Sequence, residues 1–357
     1  MRGAPRLRLP AEWEPQSAVM LTWPHAETDW RPILSRVNPV FARIGSEIAR
    51  RQTLLNVCHS GQHVEQIRDL LAAHHAPSRS LMFAIVDSGD TWARDHAALT
   101  TLVDGTVRIN DFVFNGWGGK FDGRIDDAIT GELVHQGVFG GAALARHALV
   151  LEGGAIETDG AGTLLATRSS VITPTRNPGR DQTAMERALA DALGFERFLW
   201  LDHGDISGDD TDGHIDTLAR FAGTSTILYA TAPANDDDGP GLAAMAAELE
   251  RLRTADGTPY RLLPLPFAGI HRDEDGRRLP ATYANFLVIN GAVLMPGYDV
   301  PQDAQAASIL GSAFPGREVV TIDCRDIIRQ SGSLHCLTMQ FPASLTLHAP
   351  PESCVND

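Results

Sequence analysis

What most constrains this chain is an alternation of helix and strand signals that recurs five times. Apolar residues at helical spacing run through residues 33–50, 62–74, 181–193, 242–253 and 303–314. Each stretch is soon followed by a short apolar run of strand character, at residues 54–59, 81–86, 198–201, 260–265 and 319–322. Residues 102–107, 157–162 and 287–293 look like hairpins, because Asp104-Gly105, Asp159-Gly160 and Asn290-Gly291 supply the positive φ that tight turns need. The pattern predicts an α/β protein built from a repeated unit of two or three strands and one helix. An open α/β sheet with irregular insertions would produce the same alternation. No low-complexity segment or Pro/Ser-rich linker divides residues 1–357, and Asp236-Asp237-Asp238-Gly239-Pro240 is a polar turn before a helix, so a single domain is expected.

Charge and composition narrow the partners. Lys and Arg total 30 against 45 Asp and Glu, a formal charge of −15, which argues against a phosphate-backbone partner and suits a small cation. The basic N-terminus has no long apolar run behind it, and no window approaches a membrane span, so a cytoplasmic protein is expected. Cys58, Cys324, Cys336 and Cys354 form no CxxC pair and read as reduced thiols. There is no G-x-G-x-x-G or P-loop signature, and Gly116-Trp117-Gly118-Gly119-Lys120 lacks the spacing to cradle phosphates.

Four segments concentrate chemistry. Residues 87–96 follow a strand and combine Asp90, Trp92, Arg94 and Asp95. Carboxylates beside an indole can grip a planar cation, and a solvated loop with Asp95 paired to Arg94 is the plain alternative. Glu152 follows an apolar run and precedes Gly153-Gly154, where backbone can approach closely or simply turn. Residues 205–216 place five acids around His214. They suggest either a divalent-cation site or a His general acid/base, with Asp216 on the same side if Ile215 begins a strand. Cys336 sits after the Gly/Ser loop at 331–333, and is either an accessible nucleophile or a small buried hydrophobe.

In order and spacing, these segments resemble the agmatine deiminase family, which includes bacterial peptidyl-arginine deiminase relatives. The likeness runs from Leu9-Pro10-Ala11-Glu12-Trp13-Glu14-Pro15-Gln16 and Leu21-Thr22-Trp23-Pro24-His25 through Asp90-Thr91-Trp92-Ala93-Arg94-Asp95 and Asn115-Gly116-Trp117-Gly118-Gly119-Lys120. It continues in Leu151-Glu152-Gly153-Gly154, Arg176-Asn177-Pro178-Gly179, Asp210-Thr211-Asp212-Gly213-His214-Ile215-Asp216, Tyr283-Ala284-Asn285-Phe286 and Leu334-His335-Cys336-Leu337-Thr338. The resemblance implies a pentein-like α/β propeller of five ββαβ units around a pseudo-fivefold axis. It also implies guanidine hydrolysis with neither metal nor cofactor.

By carry-over, Cys336 is the nucleophile, His214 the general acid/base, and Asp95, Glu152 and Asp216 the carboxylates around the guanidinium. Trp92, Asp90, Trp117, Asp210 and Asp212 are the expected substrate contacts. The expected substrate is a small cationic guanidine: agmatine first, then peptidyl-arginine, free arginine or another guanidine. Asp209, Asp210 or Asp212 could meet agmatine's amine. An amidinotransferase, a non-catalytic guanidine or polyamine binder and a metal hydrolase built on the acidic run are the other readings. A homodimer is the default assembly. The sequence departs from the family pattern at His96-Ala97-Ala98 and at Ser331-Gly332-Ser333-Leu334, changes that bear on the substrate more than on the reaction.

Overall fold

A computed structural model of the chain describes residues 6–351. The first residues of the basic N-terminus and Cys354 lie outside the described residues. The chain forms two compact units. One is built from Glu14–Gly153 and the stretch beginning at Cys336, the other from Arg8–Trp13 and Gly154–His335.

The repeated unit anticipated from the sequence is what forms. In the first unit, strand Gln16–Thr22 pairs antiparallel with Thr338–Pro342 and parallel with Thr53–Cys58, which the helix Leu34–Ala49 connects to it. The helix Gly61–Ala73 then leads to a further parallel strand, Leu81–Ile85. A second sheet pairs Leu99–Val103 antiparallel with Thr106–Val113, and the latter parallel with Ala143–Val150. The second unit contains three more sheets of the same plan. Each has an antiparallel pair, a helix and a parallel strand. The helices are Gln182–Leu193, Gly239–Arg251 and Gln302–Ala313, and they lead to strands Arg197–Leu201, Arg261–Leu265 and Glu318–Asp323. Each long helix lies within two or three residues of its expected bounds.

Local chemistry explains these elements. Val37, Phe41, Ile44 and Ile48 form one buried stripe of Leu34–Ala49, the 3.6-residue periodicity of a helix laid on a sheet. Strand Thr53–Cys58 is flanked by parallel neighbours, and all but its first residue is buried, so it reads as an apolar run broken by Asn56, whose Oδ1 accepts from Trp23 Nε1 at 2.9 Å. Asp181 caps Gln182–Leu193 by accepting the Ala184 N–H at 2.8 Å, and Gly194, at φ 81°, ends that helix in the left-handed conformation. Asp104 and Gly105 both take positive φ, at 50° and 83°, as a two-residue hairpin turn requires. The condition set on Asp216, that Ile215 begin a strand, is not met: Ile215–Thr217 is a 3₁₀ turn, and the strand starts at Ala219. Among the described residues, no helix is long and apolar enough to cross a membrane.

Candidate active site

The first unit gathers the thiol, two of the expected carboxylates and two indoles. The loop after Leu81–Ile85 is pinned by Asp126, whose Oδ1 accepts the N–H groups of Gly89 at 2.8 Å and Asp90 at 3.2 Å. Burial raises the Asp126 carboxyl to about 6 despite those bonds. Asp90 fastens the same loop, because its Oδ1 accepts from the Thr91 N–H at 2.7 Å and from Trp30 Nε1 at 3.2 Å. Burial pushes its carboxyl up to about 7. Trp92 packs tilted on Trp30 with ring centroids 5.7 Å apart.

The chain then makes the short helical turn Ala93–His96, which buries Asp95. Trp117 donates from Nε1 to Asp95 Oδ2 at 3.0 Å. The glycine-rich segment around Trp117 exists to make that reach. Trp117 itself has φ 55°, and a Cβ on Gly116 would sit 2.1 Å from the Phe121 carbonyl oxygen. Asn115 Oδ1 closes the turn by accepting the Gly118 N–H at 2.8 Å.

Backbone contacts draw Glu152 and Cys336 into this neighbourhood. A Cβ on Gly153 would lie 2.2 Å from the Arg94 carbonyl oxygen, so the residue after Glu152 is pressed against the peptide that leads into Asp95. The Arg94 N–H in turn donates to the Cys336 carbonyl at 3.1 Å. Glu152 is fully buried, and Cys336 keeps only 5 % of its surface, less open than a Gly/Ser loop suggested. His96, which departs from the family pattern, is buried and neutral. Desolvation drives its imidazole to about 3, and its Nε2 meets Thr22 Oγ1 at 3.3 Å.

The second unit carries His214 and Asp216 on a turn held by its own acids. Asp209 accepts from Thr211 Oγ1 at 2.6 Å and from the Gly213 N–H at 2.9 Å. Thr211 Oγ1 accepts the His214 N–H at 3.1 Å, and Thr217 Oγ1 donates to the His214 carbonyl at 2.9 Å. These side-chain bonds replace strand pairing, which is why Ile215 lies in a turn. Asp212, at φ 70°, is paired with the buried Arg176 at 2.7 Å. Arg176 also donates to the Thr211 carbonyl at 3.0 Å, which gives the Arg176-Asn177-Pro178-Gly179 segment its purpose. Asp210 is half-buried on the same loop.

Asp216 is held by a residue that sequence reasoning passed over. His335 Nδ1 lies 2.8 Å from Asp216 Oδ2, and His335 Nε2 lies 2.7 Å from Glu12 Oε2. Arg220 donates to Glu12 at 3.0 Å and to Glu157 at 2.7 Å, with its guanidinium over the Phe286 ring at 4.7 Å. Burial alone would raise the Asp216 pKa, but the His335 bond and the charges of His335, His214 and Arg220 outweigh it, and the net direction is down. Glu12, Asn285 and His335 all stood in segments carrying the family likeness; the sequence offered no sign that they meet. Among the described residues, no group of three or more His, Cys, Asp or Glu is arranged to hold a metal ion.

Residues 8–342 match the family model for Porphyromonas-type peptidyl-arginine deiminase. The chain belongs to that family. It is 32 % identical to an agmatine deiminase of Pseudomonas aeruginosa, over 94 % of this chain and 95 % of that one. Its fold superposes on a Porphyromonas gingivalis structure provisionally described as an arginine deiminase, with TM-score 0.88 and 49 % identity, covering 95 % of this chain and 99 % of that one. It superposes equally, at TM-score 0.88 and 31 % identity over 97 % and 99 % of the chains, on C. jejuni agmatine deiminase with substrate bound in a Cys-to-Ser variant. The pentein-like α/β architecture implied by the sequence is therefore the fold of this chain. An amidinotransferase from Microseira wollei, 13 % identical at TM-score 0.51, is similar in fold alone.

Proposed function

We propose that this chain is an agmatine deiminase: it hydrolyses the guanidinium of agmatine to N-carbamoylputrescine and ammonia. The observation that carries the reading is end-to-end identity of about a third with proteins named agmatine deiminase. The clustering of Cys336, Asp95 and Glu152 within one unit supports it. A guanidinium carbon is poorly electrophilic because its charge is delocalised. Carboxylates that accept paired, charge-assisted bonds fix the planar cation and present the carbon to a thiolate.

In this mechanism Asp95, Glu152 and Asp216 hold the guanidinium. Cys336 Sγ bonds to its carbon and gives a tetrahedral intermediate. His214 protonates one nitrogen, the C–N bond breaks, and ammonia leaves a covalent thiouronium. His214 then takes a proton from water, whose oxygen bonds to the same carbon. Collapse breaks the C–S bond, the remaining hydroxyl proton passes to solvent, where it is matched by the released ammonia, and the thiolate returns with a neutral ureido product. One water is consumed and one ammonia released. Residues 1–357 act as a single catalytic domain on a small cationic metabolite in the cytoplasm, with neither nucleic acid nor membrane as partner, and the assembly is a homodimer; a sedimentation profile of the full chain showing only monomer would reject the dimer.

A second substrate has a specific basis. The family match to peptidyl-arginine deiminase, and the 49 % identity to a protein provisionally described as an arginine deiminase, favour an arginine side chain or free arginine. Side-by-side rates of ammonia release from agmatine, free arginine and an arginine peptide decide between them. Cys336→Ala should abolish all release, and mass spectrometry after a brief quench should find an adduct on Cys336. Turnover that survives the alanine change would reject the mechanism.

A further inference from the structure

His335 lies between two buried carboxylates, one on each ring nitrogen. A neutral imidazole can donate from only one nitrogen and must accept at the other. Neither partner is built to donate. Glu12 Oε1 accepts the Val288 N–H at 2.6 Å, and its Oε2 already faces an Arg220 nitrogen at 3.0 Å. Both Glu12 oxygens therefore already accept N–H donors other than the ring, one of them from a guanidinium, and this favours the ionised carboxylate over the acid.

Asp216 takes the other ring bond, and the ring is fixed in place by its backbone. The His335 N–H donates to Asn285 Oδ1 at 2.9 Å and to the Asn285 carbonyl at 3.2 Å. Asn285 Nδ2 donates to the Asp216 carbonyl at 3.3 Å. The charged groups around the ring are then Glu12, Glu157 and Asp216 against Arg220 and His335, all buried in one unit, and His214 also acts on Asp216. With His335 protonated the cluster carries one net negative charge; with it neutral, two.

We propose that His335 is a positioning residue for the reaction: an imidazolium clamped between Glu12 and Asp216 that keeps the Asp216 carboxylate ionised and oriented. Glu12 serves as its counter-ion. The inference rests on the role given to Asp216 above, and it adds two residues, His335 and Glu12, that act through Asp216. It also gives a reason for the residue immediately before Cys336 to be a histidine.

His335→Asn tests it. The Asn amide can still donate toward Asp216, but the positive charge and the Glu12 bond are gone. In the folded variant kcat/KM for agmatine should fall about 10- to 100-fold at neutral pH. The acid limb of its pH profile should move up by about one pH unit or more, because a buried carboxylate without its cation holds its proton longer. Glu12→Gln added to His335→Asn removes one negative charge with the positive one, and should return the limb toward its original position. A purely structural ring would leave the limb where it was, and an unmoved limb in the folded variant overturns the proposal.

If His335→Asn does not fold, ¹⁵N NMR of the native protein decides. Both ring nitrogens of His335 should be protonated at neutral pH, and a single unprotonated nitrogen overturns the proposal. Asp216→Asn separates the two levels. Retained activity rejects the role of Asp216, and with it the functional half of this inference, while the NMR signal still reports the ring's state.

Discussion

The bond from Trp117 to Asp95 offers the sharpest single perturbation. Trp117→Phe removes one N–H and leaves most of the ring. The edge-on contacts that the indole makes with Phe114 and Phe121, at centroid distances of 4.9 and 5.5 Å, can be kept by a phenyl group. What is lost is the donor 3.0 Å from Asp95 Oδ2. A hydrogen bond to a charged group contributes about 1.5–3 kcal/mol, more when the acceptor stays buried and unsatisfied. Asp95 is buried, so the full range applies. At about 1.4 kcal/mol per tenfold, kcat/KM should fall roughly 10- to 150-fold. Both KM and kcat should move, because the carboxylate proposed to grip the guanidinium would also align it for attack. The assay is initial-rate ammonia release from agmatine, with thermal unfolding as control. The variant should unfold within a few degrees of the parent, since no cavity larger than the difference between indole and phenyl is made. Activity within threefold of the parent would refute the idea that the Gly-Trp-Gly-Gly turn serves to orient Asp95.

Three further outcomes are expected. Gly153→Ala should cost stability and nearly all activity, because its Cβ would lie 2.2 Å from the Arg94 carbonyl, whereas Gly105→Ala, with nothing within 4 Å, should cost only about 1 kcal/mol for its positive φ; equal unfolding temperatures for the two would contradict the contact. Asp90→Asn keeps an oxygen to accept from Thr91 and Trp30 but removes an acid whose folded pKa is raised to about 7. The folded protein binds that proton more tightly than the unfolded chain does, so the parent loses stability as pH rises from about 4 to about 7, and the Asn variant should be more stable at pH 8 by on the order of 2–4 kcal/mol. Denaturant titrations at pH 5 and pH 8 measure this, and a gap that does not widen with pH would contradict it. If Asp90 only fastens the loop, Asp90→Asn also keeps its activity; a large loss would mark a substrate contact.

Much of the fold was legible because its determinants are local. The stripe Val37, Phe41, Ile44 and Ile48 and the Asp104-Gly105 turn each declare their structure within a few residues. The proposed reacting groups were picked out from segments of a few residues each. What those groups touch was not. Asp90, Asp209 and Asp212 looked alike as acids near a cation site, yet Asp90 holds its loop to Trp30, Asp209 caps Thr211 and Gly213, and Asp212 pairs with Arg176, 36 residues away. Whether Ile215 begins a strand could not be read from its neighbours, because a local side-chain scaffold from Asp209, Thr211 and Thr217 holds it in a turn. The cluster of Glu12, Glu157, Arg220 and His335 could not be read at all, since its bonds join residues 63 to 323 positions apart. No window of sequence contains both ends of such a bond.

The same charge logic extends to product release. The carboxylates assigned to the guanidinium are buried, so each bond they make to a cation is worth roughly twice a bond to a neutral group. Hydrolysis turns the guanidinium into a ureido group of nearly the same shape with no charge and one donor group replaced by a carbonyl oxygen. The ureido N–H groups still donate to ionised acceptors, but the attraction between cation and carboxylates is lost, and the new oxygen faces carboxylates that can only repel it. A loss of binding of about 1.4 kcal/mol or more, roughly tenfold or more, is therefore expected on turnover. N-carbamoylputrescine should accordingly be a weak inhibitor, with an inhibition constant at least tenfold above the KM for agmatine. Product that competes as tightly as substrate would mean that the distal amine, and not the carboxylates around the reacting carbon, supplies most of the binding.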